Sequence, residues 1–323
     1  MSGDAVSDVL RAVRLTGAVF FKIEGSDPWA AEALPSQEIG PTLLPGAEHV
    51  IEYHLVVSGA CWGGVVGEPP VHLTAGDVIA FPRGDAHVIS SAPGMRARPD
   101  YSAFAGARRF PVAVSCQGGG PERVELVCGF LGCDARPFNP LLATLPRVLH
   151  LPRGASGGRV EQLMQIALAE AEHPGSGSEA VLARMSELLF VELVRRYLAT
   201  LPGEAVGWFA ALRDEGVGRA LAALHHRPAQ AWDLDGLARE VGVSRSVLAE
   251  RFVGLLGIPP MQYLARWRMQ LAANLLGSTS MGLAEIADRV GYGSEAALSR
   301  AYKRLVGVAP ADWRRGKRPS LTP

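Results

Sequence analysis

One stretch of the C-terminal third occurs twice, and this repeat constrains the fold more than any other feature. The first copy runs Leu234-Asp-Gly-Leu-Ala-Arg-Glu-Val-Gly-Val-Ser-Arg-Ser-Val-Leu-Ala-Glu-Arg-Phe252. The second runs Leu283-Ala-Glu-Ile-Ala-Asp-Arg-Val-Gly-Tyr-Gly-Ser-Glu-Ala-Ala-Leu-Ser-Arg-Ala-Tyr302, starting 49 residues later. Both give [Leu/Ile]-Ala-x-x-Val-Gly, a short turn, a serine, then Leu and an aromatic four residues apart. Ala238 and Ala287 let two helices approach closely. Gly242 and Gly291 fall where the first helix must end and the chain turn at positive φ. Ser244 and Ser294 are placed to N-cap the second helix. Leu248/Phe252 and Leu298/Tyr302 face the first helix, which leaves the opposite stripe free for a DNA groove. Two helical hairpins inside an ordinary α-domain are the competing reading. The doubling, the basic surroundings and the long helix predicted over Met261–Leu276 weigh against it.

The charge supports a division of labour. The 323 residues carry no formal net charge, yet residues 219–323 hold fifteen Lys and Arg against eight Asp and Glu. The remainder holds seventeen against twenty-four, so a basic C-terminal module is joined to an acidic body. A chain of this length, 48% apolar, suits about two domains with their own cores. The densest apolar runs, Val50–Ala60 and Leu188–Val194, are far short of a membrane span, and the N-terminal residues lack the apolar stretch of a secretory signal. A cytoplasmic protein with no membrane partner is expected. Four cysteines (Cys61, Cys116, Cys128, Cys133) make no disulfide framework.

From Gly17 to about Leu151 the sequence is strand-like, with short apolar runs cut by Gly, Pro and Asp, which favours a sandwich or barrel. From Gly158 the period changes: Val160, Leu163, Met164, Ala167, Leu168 and Ala171 recur at helical spacing. Pro174-Gly-Ser-Gly-Ser breaks that helix, and Glu179–Leu201 forms a longer one. Its apolar stripe (Met185, Leu188, Leu189, Val191, Leu193, Tyr197) is wider than one neighbour needs. Pro202-Gly-Glu-Ala marks a joint.

Over Gly216–Arg315 the sequence resembles the AraC/XylS family of bacterial transcription regulators. The resemblance rests on Phe252-x4-Gly-Ile-Pro-Pro-x-Gln-Tyr-Leu-x-x-Trp-Arg-Met, Ile286-Ala-x-x-Val-Gly-Tyr and Tyr302-Lys-Arg-x-x-Gly-x-x-Pro-x-x-Trp-Arg-Arg. It implies seven helices, with two helix-turn-helix units held by a linker helix and each placing one helix in the major groove of double-stranded DNA. The first reading helix would be Ser244–Leu255, offering Arg245, Ser246, Ala249 and Glu250. The second would be Ser294–Leu305, offering Glu295, Ala296, Ser299 and Arg300. Arginine can fork to guanine and glutamate can accept from cytosine. Arg251, Arg266, Arg268, Lys303, Arg304, Arg314 and Arg315 are expected on phosphates, where they set register and salt dependence.

The N-terminal half resembles the cupin-type sensor domain of a subgroup of that family. Gly76-Asp-Val-Ile-Ala-Phe-Pro-Arg-Gly-Asp-Ala-His87, with Ser91 for the usual asparagine, fits the second cupin motif. Gly46-x5-Glu52-x-His54 fits the first in part, with Glu52 replacing a histidine and Ser58-Gly59 the usual glutamate. Strand alternation puts Glu52 and His54 on one face. The resemblance turns that face inward, toward His87. His54 and His87 with Cys128 and Cys133 are a candidate zinc site. Hydrogen-bonded core histidines with buried thiols, or a redox switch, are the alternatives.

The expected architecture is multidomain: an all-β cupin-like sensor domain (1–155), a helical dimerisation segment (156–215) and an all-α double helix-turn-helix domain (216–323). From about Gly216 onward the chain is expected to fold alone and bind DNA as a monomer. Function follows as sequence-specific DNA binding governed by an effector of unknown identity (small molecule, metal or oxidant) in a homodimer, with RNA polymerase a further partner of an activator. An enzyme is not expected; a metal-dependent cupin enzyme fused to a DNA-binding module is the alternative.

Overall fold

In the computed structural model the described residues are 4–102, 112–153, 158–173 and 175–317, without the side chains at 18–20, 161, 164, 168, 171, 172 and 317. Pro174 and the side chains of Met164, Leu168 and Ala171 therefore lie outside what is described. The strands are β1 (Thr16–Ser26), β2 (Ala30–Ala33), β3 (His49–Ser58), β4 (Ala60–Val65), β5 (Val71–Thr74), β6 (Val78–Phe81), β7 (His87–Ser90), β8 (Val112–Gln117), β9 (Arg123–Cys133) and β10 (Leu149–Leu151). Among the described residues up to Thr200 the helices are α1 (Ala5–Ala12), α2 (Ser36–Leu43), α3 (Pro140–Thr144), α4 (Arg159–Glu172) and α5 (Ser178–Thr200). After these come α6 (Trp208–Arg213), α7 (Glu215–His226), α8 (Leu234–Glu240), α9 (Arg245–Leu256), α10 (Pro260–Ser278), α11 (Leu283–Arg289), α12 (Glu295–Val306) and α13 (Pro310–Lys317).

Two compact units result, and neither is one continuous stretch. A β-rich unit comprises Leu15–Cys133 and Leu145–Thr200; a helical unit comprises Met1–Arg14, Asp134–Thr144 and Leu201–Pro323. The division departs from boundaries at 155 and 215.

In the β-rich unit a six-stranded sheet, ordered β10-β6-β3-β9-β1-β8, and a four-stranded sheet, β2-β7-β4-β5, share one core. Period-two alternation assigns the faces. Val50 and Val56 of β3 and Leu126, Cys128 and Phe130 of β9 point into that core. The other face of β3 carries Tyr53, whose hydroxyl meets Ser186 Oγ on α5 at 2.5 Å. α5 packs on β1, β9 and β10. A Cβ at Gly17 would lie 2.2 Å from the Ala183 carbonyl oxygen, so only glycine permits the approach of α5 to β1. Leu182, Met185, Leu189, Phe190, Leu193 and Val194 are buried by this packing, so α4 and α5 form part of the β-rich unit rather than a separate segment. The two-sided hydrophobicity of the six-stranded sheet is the reason: its outer face also needs cover.

The helical unit is centred on α10. Trp208 Nε1 donates to the Tyr263 hydroxyl at 2.8 Å, and that hydroxyl lies 2.8 Å from His225 Nε2. His225 stacks on Trp267 with ring centroids 4.1 Å apart. Trp208 precedes Gly216, so the module begins earlier than the motif does. Gln270, fully buried on α10, donates from Nε2 to the Ala12 carbonyl at 3.1 Å and accepts from Phe138 N–H at 2.9 Å. Arg14 forks onto Asp134 at 2.6 and 2.8 Å. These contacts draw residues 1–14 and 134–144 into the unit.

Candidate nucleic-acid interface and barrel pocket

Both helix-turn-helix copies form as their capping chemistry requires. Gly242 and Gly291 adopt φ of +70° and +82°. Ser244 Oγ accepts from Val247 N–H at 3.3 Å, and Ser294 Oγ accepts from Ala297 N–H at 3.2 Å. α9 buries Leu248 and Phe252; α12 buries Leu298, Ala301 and Tyr302. The opposite faces expose Arg245, Ser246, Glu250 and Arg251 on α9 and Glu295, Ala296, Arg300, Lys303 and Arg304 on α12, with Ala249 and Ser299 half-buried.

Two cations expected on phosphates have structural partners instead. Arg268 donates to the carbonyls of Pro228 and Gln230 at 2.7 and 2.8 Å, and half-burial draws its pKa down. Arg314 donates to the carbonyls of Leu276 and Met281 at 3.3 and 2.6 Å. Each satisfies carbonyls that would otherwise end a helix or turn without a donor. Arg251 pairs with Asp214, which also caps α7 through Gly216 and Val217 N–H. Arg266 is half-exposed and Arg315 pairs with Asp312.

Inside the β-rich unit, Glu52 and His54 of β3 meet His87 of β7, all buried. His54 Nε2 and His87 Nε2 are 3.0 Å apart. Glu52 Oε1 lies 3.7 Å from His54 Nε2, and Oε2 lies 3.5 Å from His87 Nε2. Burial pushes Glu52 up to about 8 and His87 down to about 4, and holds His54 well below the usual imidazole range with help from its neighbour His87. The three groups are therefore uncharged at neutral pH. One proton arrangement satisfies the contacts of both imidazoles. His87 Nδ1 donates to the Asp85 carbonyl at 3.0 Å, so its Nε2 accepts from His54 Nε2–H. His54 Nδ1 then accepts from the Cys128 thiol at 2.8 Å.

The site corrects the expected ligand set. Cys128 stands behind His54, on its Nδ1, while the other two donors converge on Nε2. Cys133, five residues along the same extended strand, turns to the opposite face and pairs in register with His49. About 16 Å of strand separates the two sulfurs' backbones, too far for a shared metal or a disulfide. Burial also raises the Cys128 and Cys61 thiols, the latter to about 12, which suppresses the thiolate that oxidants attack. Glu52 takes the cysteines' place among the donors. The signal for it was present in the sequence: Glu52 shares the His54 face by alternation.

The residues fit a metal. Donors about 2.0–2.2 Å from a tetrahedral zinc sit roughly 3.3–3.5 Å from one another, and the spacings of 3.0, 3.5 and 3.7 Å bracket that range. The donors border a cavity of about 60 Å³ lined mainly by apolar side chains such as Phe21, Ile23, Ile89 and Phe130, with Glu32, Asp100 and Tyr101 also on its wall.

A family profile described as a cupin matches residues 4–199, and one described as a helix-turn-helix domain matches residues 237–316. Over 319 residues the chain is 35% identical to an AraC-like transcription regulator of Streptomyces antibioticus, spanning 98% of this chain and 100% of the relative. The chain belongs to the AraC-like transcription regulators. It is also 25% identical over 317 residues to the HTH-type transcriptional regulator AlkR of Acinetobacter baylyi, spanning 96% of this chain and 99% of that one. Among solved structures, the DNA-binding domain of AdpA in complex with a target DNA is 32% identical, covering 33% of this chain and 99% of that chain, with a TM-score of 0.31. The regulator thus joins a cupin domain to a DNA-binding helix-turn-helix domain. No described helix is long and apolar enough to cross a membrane.

Proposed function

We propose that the β-rich unit is the sensing half of the regulator and that its effector is a divalent metal ion, zinc in the simplest case, held by Glu52, His54 and His87. The observation that carries this reading is the convergence of three buried donor atoms within 4.8 Å of one another beside a cavity of about 60 Å³. Space of that size directly beside the three donors accommodates an ion with one or two waters. The bound ion would tie β3 to β7 and shift the population of DNA-binding states by its differential affinity for them.

Purified full-length protein analysed for metals, then titrated with zinc, tests the proposal. One equivalent per chain, a higher melting temperature and altered promoter affinity are expected. His87→Ala should lose the metal and its effect while basal DNA binding persists. Absence of both bound metal and stabilisation by zinc would leave the histidines as a hydrogen-bonded core.

Ile166, Val181 and Leu188 of α4 and α5 are 52, 40 and 50% exposed. An apolar face of this kind supports a homodimer that would read two half-sites with multiplied affinity. Sedimentation of Leu188→Glu as a monomer, against a wild-type dimer, checks it. RNA polymerase is the further partner should the regulator activate.

A further inference from the structure

The two reading helices align residue for residue through their caps and buried faces: Ser244 with Ser294, Leu248 with Leu298, Phe252 with Tyr302. Their exposed faces differ in kind. Where α12 presents Arg300, Lys303 and Arg304, the aligned positions of α9 are Glu250, Val253 and Gly254. The two cations that α9 does carry face acidic partners, Arg245 at 3.4 Å from Asp235 and Arg251 on Asp214. Arg300 and Lys303 have no acidic partner among the described residues. Val247 and Val253 of α9 are 41 and 42% exposed, apolar and β-branched on a helix face that no core requires.

From this asymmetry we infer that the two modules divide recognition. α12 supplies the ionic anchor through Lys303 and Arg304 alongside the base contact of Arg300, and α9 discriminates sequence with little ionic contribution. Val247 would pack on a thymine methyl and Glu250 accept from a cytosine amine. Both lie in the N-terminal half of α9, the part of a recognition helix that reaches base edges. Thymine is the base whose major-groove edge offers a methyl group, and cytosine the one whose exocyclic amine lacks an adjacent N7 acceptor. A paired arginine releases fewer counterions on meeting phosphate, because its charge is already balanced.

The test uses the full-length protein and a random-sequence duplex library to obtain a preferred site, followed by binding isotherms across salt concentrations. Failure to select any site would count against sequence-specific binding itself and is thereby distinguishable. Lys303→Ala is expected to lower the salt slope by about one, and Arg245→Ala to leave it unchanged. Replacing the contacted thymine by deoxyuridine, which removes only the methyl, should weaken wild type roughly fourfold, the worth of one buried carbon. The same replacement should not affect Val247→Ala. Glu250→Gln should relax preference at one cytosine without changing the slope. The inference is overturned if Arg245→Ala lowers the slope as much as Lys303→Ala does, or if no thymine-to-deoxyuridine change separates Val247→Ala from wild type.

Discussion

Gln270 donates its side-chain amide to the Ala12 carbonyl at 3.1 Å across 258 positions of sequence. The same side chain accepts from Phe138 N–H. One buried amide on the helix between the two DNA-reading motifs therefore holds the end of α1 and the start of α3's segment. Both segments continue directly into strands of the β-rich unit: Arg14 is two residues before β1, and Asp134 follows β9.

Replacing Gln270 by Leu keeps the volume and removes both bonds, leaving buried backbone groups unpaired. A loss of about 1–3 kcal/mol is expected, read by denaturant unfolding of the full chain with unchanged affinity for a preferred duplex. A variant as stable as wild type would show that the amide is dispensable.

Acid should unfold the helical unit through His225. Burial pushes this imidazole down to about 3, so the unfolded chain takes up a proton below 6.5 that the folded chain refuses. Stability is complete above that value and falls as pH drops toward 3, by up to about 1.4 kcal/mol per unit. His225→Phe, which can keep the stack on Trp267, should flatten this part of the profile in a series of melts.

Where the DNA-binding module is cut matters. A fragment of 201–323 keeps Trp208 and the Asp214 cap; one of 216–323 loses both. The shorter fragment should be less stable by roughly 3 kcal/mol or more, the usual cost of losing a buried tryptophan, and calorimetry of the two decides. Equal melting temperatures would return the boundary to Gly216.

Arg300, at the middle of the exposed stripe of α12, is expected to fork to a guanine. Arg300→Ala should weaken binding by about 1–3 kcal/mol and relax preference at one base pair. A uniform loss with preference intact would reassign it to phosphate.

The helix-turn-helix pair was legible because its determinants are local: a serine cap, a glycine in the left-handed region and an apolar i,i+4 pair all lie within twenty residues of one another. Glu52 was half-legible. Alternation placed it beside His54, but only the β3 and β7 positions in space bring His87 to both. The odd spacing of Cys128 and Cys133 already separated them onto opposite faces, a signal that the attraction of four soft donors obscured. What no local pattern carries is the docking of α1 and residues 134–144 on α10. Those bonds join residues 258 and 132 positions apart, and nothing in either segment's own periodicity names its partner. α2 was hidden for a different reason: Gly40 and Pro41 stand inside it, where helix propensity is lowest.

The discontinuous helical unit also sets an order of assembly during synthesis. α1 leaves the ribosome before the strands, with Ala5, Val9 and Ala12 as its apolar face. The residue that receives its end, Gln270, is made 258 residues later. At roughly 5–20 residues per second, this first helix waits on the order of tens of seconds for its partner while the strands between complete their sheets. The β-rich unit can thus close before the helical unit can, and a nascent chain stalled before α10 would display a finished β-rich unit with α1 still unburied.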